Sequence, residues 1–339
     1  MTIRQIAAAA ALSLTAGTAG AQEVELTLSH WVPPTHPLQV TGMEPWAQSI
    51  AEASGGRIEV TIYPAQQLGA APDHYDMARD GIVDIAFINP GYQPGRFPII
   101  AAGELPFHIS NATGGSRALH EWYQDHAAQE MSDVHVCLVH LHDPGTLHGK
   151  EGPLLMPEDF AGKNIRPAHG TLARAVNIMG GASVQVPAPA MRDALSKGTA
   201  DVTASPWGSL FTFGVQDIVL HHLDIPLYAT TFAFVMNKDR IDSLSPENRA
   251  VIDAHCNPEA SETMATPWAE GEASGRARLM EMEGHVFYRP DAEQLATWKE
   301  TMSPLVDEWK QGVDRAGIDA DAAYAGFVET LQANGAYLE

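Results

Sequence analysis

Apolar residues recur along this chain with two periods, and the switches between them lay out the fold. Val24 to Ser29 (VELTLS) alternates with period two, as do Ile58, Val60 and Ile62, and both predict strands. Between them Val40, Met43, Trp46, Ala47 and Ile50 follow helical spacing until Ser54-Gly55-Gly56 stops the run. Asp73 to Asp80, closed by Gly81, predicts a helix, and Asp84 to Asn89 (DIAFIN) a buried strand. A helix over Thr113 to Gln129 and a strand over Val134 to Leu141 come next, then a loop, HDPGTLHG. From Gly162 to Ser205 three short apolar runs alternate with two helical patterns, a βαβαβ unit of the kind that builds parallel sheets. Arg166 ends the first of those runs. A strand follows over Thr230 to Met236, with Phe232, Phe234 and Met236 on one face, while His221-His222 reads as loop. Ser245 to Gly284 is mostly helical, opened by Ser245-Pro246 and broken at Thr266-Pro267. A short strand over His285 to Arg289 and helices over Asp291 to Ala316 and Asp319 to Asn334 complete the chain.

This order predicts an α/β protein of two lobes, a clamshell of mixed sheets flanked by helices with long connecting helices. Residues 22–144 plus about 234–280 form lobe I, and about 145–233 plus about 281–305 form lobe II. The helices from about 306 to 339 pack on both. A ligand cleft belongs between the lobes, where strand ends converge.

The first residues, MTIRQIAAAAALSLTAGTAGAQ, add a destination. Arg4 gives a positive start, Ile6 to Ala16 a short apolar stretch and Ala19-Gly20-Ala21 a cleavage site. Residues 1–21 therefore read as a signal peptide, and the mature chain as a periplasmic protein. The formal charge of −22 excludes nucleic acid and disfavours an anionic membrane surface as partner. It also means that an anion site must supply its own local positive charge. Cys137 and Cys256 are the two cysteines. Export permits a disulfide, but an apolar strand and a helical segment suit two unpaired buried thiols, and that reading is favoured.

Chemistry beyond binding finds little support. No G-x-S-x-G, H-E-x-x-H or Walker pattern is present, so no enzyme is predicted. His140 with His142, and His221 with His222, lack acidic or cysteine partners at ligand spacing, so neither a metal nor another cofactor is expected.

Several segments in order resemble the substrate-binding proteins of TRAP transporters, the DctP-like extracytoplasmic solute receptors. They are GGRIEVTIYPAQQLG, MARDGIVDIAFI, Leu105-Pro106-Phe107, MPEDFAGKNIRP, ALSKGTADV and FAFVMNKDRIDSLSPENRAVI. The resemblance implies a two-lobed periplasmic binding protein, a small organic carboxylate as ligand and a TRAP membrane permease as partner. It also implies that Arg166, in Lys163-Asn164-Ile165-Arg166, pairs the ligand carboxylate; a planar guanidinium suits that fork. The chain departs from the family pattern where polar groups are usual. Ala188 and Ala190 replace an aromatic and an acidic residue, Ala204-Ser205-Pro206-Trp207 replaces a Q-E-N-P segment, and Gly145 to His148 lacks a second arginine. Ile241 replaces a tryptophan.

A smaller, more apolar pocket with an indole from Trp207 predicts an aromatic or apolar monocarboxylate such as a benzoate-type acid. A small aliphatic hydroxy or oxo acid, or a dicarboxylate, is the alternative, and an enzyme or sensory receptor on the same scaffold is the alternative from another class. Candidate ligand contacts are Arg166, Trp207, His148, Tyr92, Trp31, Asn89, Phe232, His36 and Ser205. Core packing competes for Phe232, a loop role for His148, and solvent exposure for His169. The receptor is expected to be a monomer.

Overall fold

In the computed structural model, which describes residues 22–338, the strands are β1 (Val24–Ser29), β2 (Ile58–Tyr63), β3 (Ile85–Ile88), β4 (Val134–Leu141), β5 (Thr146–Gly149), β6 (Asn164–Arg166), β7 (Ala182–Ser183), β8 (Val202–Ser205), β9 (His221–Leu223), β10 (Thr231–Asn237) and β11 (Val286–Tyr288). The signal-peptide reading of residues 1–21 lies outside the described residues. Among those described, no helix is long and apolar enough to cross a membrane.

The strands form two mixed sheets. The first has five in the order β2-β1-β3-β10-β4, and the second six in the order β11-β9-β5-β8-β6-β7. In the first, β1 pairs in parallel with β2 and β3, and β10 runs antiparallel between β3 and β4. In the second, the βαβαβ unit supplies β6, β7 and β8 in parallel, while β5 is antiparallel to β8 and β9. Period-two alternation in β1 buries Leu26 and Leu28, and β3 and β10 are buried on both faces, as strands covered by helices must be.

The structure corrects the sequence at several points. The loop HDPGTLHG contains β5, a central strand whose four residues are all buried. His221-His222 lies in β9. The helix Pro258–Glu281 runs unbroken through Pro267. The break falls earlier, at 255–257, where the Asn257 side chain accepts from the Ala260 N–H and Pro258 opens the first turn. Asp291 to Ala316 is two helices, Ala292–Met302 and Pro304–Arg315, parted at Ser303-Pro304. Cys137 and Cys256 are joined in a disulfide, because the turn at 255–257 carries Cys256 off any helix and sets its Cα 4.5 Å from that of Cys137.

The long helix matters most for the site. Its first half packs Met264 and Trp268 into the core of the first sheet, and Leu279 at its far end packs into a cluster beneath the second. The chain also crosses between sheets after β4 and before β10, and these two crossings bond to each other at Gly145 and Tyr228.

Candidate ligand-binding site

Carboxyl ends of β1, β3, β6 and β8 point at one another across the gap between the sheets, as ligand-binding α/β proteins arrange them. They line a cleft between the sheets, the place where such folds hold small molecules. Trp31, His36, Asn89, Tyr92, Arg166, Ser205 and Phe232, all singled out from the sequence, line it.

Arg166, the last residue of β6, is 3% exposed. Its Nε donates to the Val186 carbonyl (3.0 Å) and its Nη1 to that of Ala204 (3.1 Å). These bonds aim the guanidinium without neutralising it. Among the described residues no Asp or Glu pairs with it, although sixteen ion pairs of other Arg or Lys side chains form. A buried, unpaired cation is unfavourable, and an anion entering the cavity relieves that cost.

Rings supply much of the remaining wall. Trp31 stacks on Phe87 with centroids 5.4 Å apart, Phe87 stacks on Phe232 at 5.2 Å, and Phe232 tilts against Trp268 at 5.3 Å. His140 completes the layer, 5.4 Å from Phe232, as a neutral core ring. Burial holds its pKa down at about 3. Among the described residues no cluster of His, Cys, Asp or Glu is placed to hold a metal ion.

Donors outnumber free acceptors at this surface. The Trp31 indole N–H and the Tyr228 hydroxyl are buried without a partner. His36 Nδ1 accepts from the Leu38 N–H (3.0 Å). Burial lowers the His36 pKa to about 3, so the ring is neutral and carries its proton on Nε2. His142, also held at about 3 by burial, donates from Nδ1 to the Asp143 carbonyl. Its Nε2 accepts from the Thr230 hydroxyl at 2.8 Å.

Asn89 and Tyr92 line the cavity but spend their polar groups bridging the sheets. Asn89 Oδ1 accepts from the Gly91 N–H, its Nδ2 donates to the Ala168 carbonyl (3.3 Å), and the Tyr92 hydroxyl accepts from the Ala188 N–H (2.9 Å). His169 is buried rather than solvent-facing, its Nδ1 3.0 Å from Glu104. Ala188 lines the cavity, and Ala190 does not.

Trp207 and His148 are placed elsewhere. Glu272 of the long helix accepts from the N–H groups of Gly208 and Ser209 and from the Ser209 hydroxyl, which pins the segment after β8 against that helix. Trp207 is thereby turned onto His148, His222 and Phe287, with centroids 4.8, 5.7 and 5.8 Å away. His148 donates from Nε2 to the Ser205 carbonyl and meets His222 at 2.8 Å, the start of a chain that continues to His285. It braces the cavity wall from behind. The indoles in the cavity come from Trp31 and Trp268, and Trp268, Tyr228, Phe213 and Met191 were not expected. Trp268 alone had a sequence signal, an aromatic residue just after Pro267.

A family model for bacterial extracellular solute-binding proteins, family 7, matches residues 28–312. A TRAP solute-binding protein from Rhodoferax ferrireducens T118, solved with copurified benzoate, is 30% identical, with a TM-score of 0.86 over 92% of this chain and 98% of that one. A marine metagenome TRAP protein specific for aromatic acid ligands, solved with 3-hydroxybenzoate, is 30% identical, with a TM-score of 0.86 over 93% and 99%. One from Bordetella bronchiseptica, with bound (R)- and (S)-mandelate, is 29% identical, with a TM-score of 0.85 over 91% and 98%. The chain belongs to family 7 of the bacterial extracellular solute-binding proteins, the solute receptors of TRAP transporters.

Proposed function

We propose that this receptor captures an aromatic monocarboxylate of the benzoate type in the periplasm and delivers it to a TRAP membrane permease. The observation that carries the reading is Arg166, buried and without a carboxylate partner, in a cavity whose other walls include Trp31, Phe213, Phe232 and Trp268. Among the described residues no other Arg or Lys lines that cavity, which favours one carboxylate over two. Its two unpartnered donors ask for an acceptor-rich group, and its rings ask for a flat apolar body. The benzoate, 3-hydroxybenzoate and mandelate bound by the three similar receptors fit that description.

Contacts from both sheets surround the cavity, so bound ligand favours the closed arrangement by its differential affinity for it. Residues 1–21 act as the signal peptide, the mature receptor is a monomer, and no chemical step is assigned to it. The lobes meet near 144 and 233 and along the long helix.

A thermal-shift screen over aromatic, aliphatic and sugar acids tests the ligand class. Benzoate at about 100 times its Kd adds about 2.7 kcal/mol of stability. A melt that moves only with sugar acids or dicarboxylates overturns the reading.

A further inference from the structure

Tyr228 has no role in the family resemblance, yet its hydroxyl is buried, has no partner in the protein and belongs to a side chain that lines the cavity. The residue is 2% exposed. Arg166 is close enough to act on the phenol electrostatically, while burial keeps it protonated. Two donors without acidic partners thus share one cavity, a guanidinium and an O–H.

The phenol is also held in place. Its ring packs so tightly on Gly145 that a Cβ there would lie 2.9 Å from Cε1 and Cζ. His142 and His169 flank it with centroids 5.4 and 5.5 Å away. The Gly145 N–H donates to the Tyr228 carbonyl at 2.8 Å, so the residue sits on the bonded pair of crossings between the two sheets.

We propose that Tyr228 is a second specificity-determining contact, its O–H donating to one carboxylate oxygen of the ligand while Arg166 takes the other. The assignment rests on the reading of this cavity as a carboxylate site. It ties the anion to both sheets at once, through β6 and through the crossing next to β10. Carboxylates are selected over equally shaped amides, because an amide offers a single acceptor oxygen and places an N–H against a donor.

The experiment is calorimetry of wild type and Tyr228→Phe with benzoate, 3-hydroxybenzoate and mandelate. The variant weakens all three by a similar factor, roughly 10- to 100-fold. The melting temperature without ligand stays level or rises, since only an unpartnered hydroxyl is removed. Gly145→Ala, which pushes the ring aside, weakens the same acids with Tyr228 still present. Equal benzoate affinity in wild type and Tyr228→Phe overturns the assignment, and so does a loss confined to the two hydroxylated acids, which places the phenol on the ligand hydroxyl. If wild type responds only to a sugar acid, the aromatic reading falls. The same variant is then measured with that acid, and an unchanged affinity there overturns Tyr228 separately.

Discussion

Charge reaches this cavity from the second sheet and its stacked rings mainly from the first, and the two walls are built by different means. On the second sheet a single side chain, Arg166, is oriented by two backbone carbonyls within its own βαβαβ unit. On the first, no single residue makes the surface. Trp31 follows β1, Phe232 comes from β10 and Trp268 from a helix more than 200 residues beyond Trp31 in sequence, and Phe87 and His140 hold them from behind. A charged wall depends on one group and fails at one position. A ring wall spreads its contribution and fails gradually.

Arg166→Ala is the severest test of that difference. Removing one partner of a buried charge pair costs about 2–5 kcal/mol, or roughly 30- to 4,000-fold in affinity for benzoate. The free protein should be no less stable, because an unpaired buried charge is also removed. Arg166→Lys keeps the charge, loses the fork and falls between the two. Calorimetry that shows benzoate binding intact in Arg166→Ala removes the charged wall from the account.

Phe232→Leu tests the other side with a smaller effect. Leucine keeps the position apolar and deletes the ring contacts with Phe87, Trp268 and His140. Aromatic pairs contribute about 0.5–1.5 kcal/mol beyond burial, so benzoate should weaken roughly 2- to 12-fold while acetate, which offers no ring, is unchanged. Equal losses for both acids would mean that Phe232 acts on the carboxylate or on the fold. The wall would then lose its claim to ligand selection.

The same contrast separates what the sequence discloses from what it hides. Arg166, Asn89, Trp31 and Ser205 stand at or just beyond the ends of short apolar runs, and a strand end fixes their place by local pattern alone. The two-sheet α/β architecture follows from the same runs. Trp207 stands just past a strand end too, but its direction is set by Glu272, 64 residues further on in the bond to Gly208, which no local pattern reveals. Tyr228 lies in a crossing with no periodicity, and Trp268 on a helix whose proline suggests a break that neighbouring packing prevents. The Cys137–Cys256 disulfide depends on a turn whose position the helical pattern blurs. β5 escapes notice because Thr146-Leu147-His148-Gly149 is buried on both faces and so shows no alternation.

The smallest expected effect concerns the histidines, and it separates binding from stability. His36 and His142 line the cavity, and burial holds both near pKa 3, with His140 about 3 and His148 about 4 behind them. All lie below the unfolded value of about 6.5, so the unfolded chain binds more protons than the folded one once the pH drops below that value. Their contribution to stability is full above pH 6.5 and is lost as the pH falls towards 3, at up to about 1.4 kcal/mol per pH unit for each ring. Glu130 and Glu272 work the other way. Burial raises them to about 7 and about 6, so their contribution is full below the unfolded value and declines as the pH rises through the folded ones. Four depressed histidines outweigh two raised carboxyls below pH 5, and the melting temperature should fall steeply there. Neither cavity histidine titrates between pH 6 and 8, so benzoate affinity should be flat across that range by calorimetry. Glu272, which accepts from the Trp268 indole and the Ser209 hydroxyl, does titrate, at about 6. A step near pH 6.5 that persists in Glu272→Gln would therefore show a histidine gaining charge beside the ligand, and part of the anion's stabilisation would then belong to the wall built from rings.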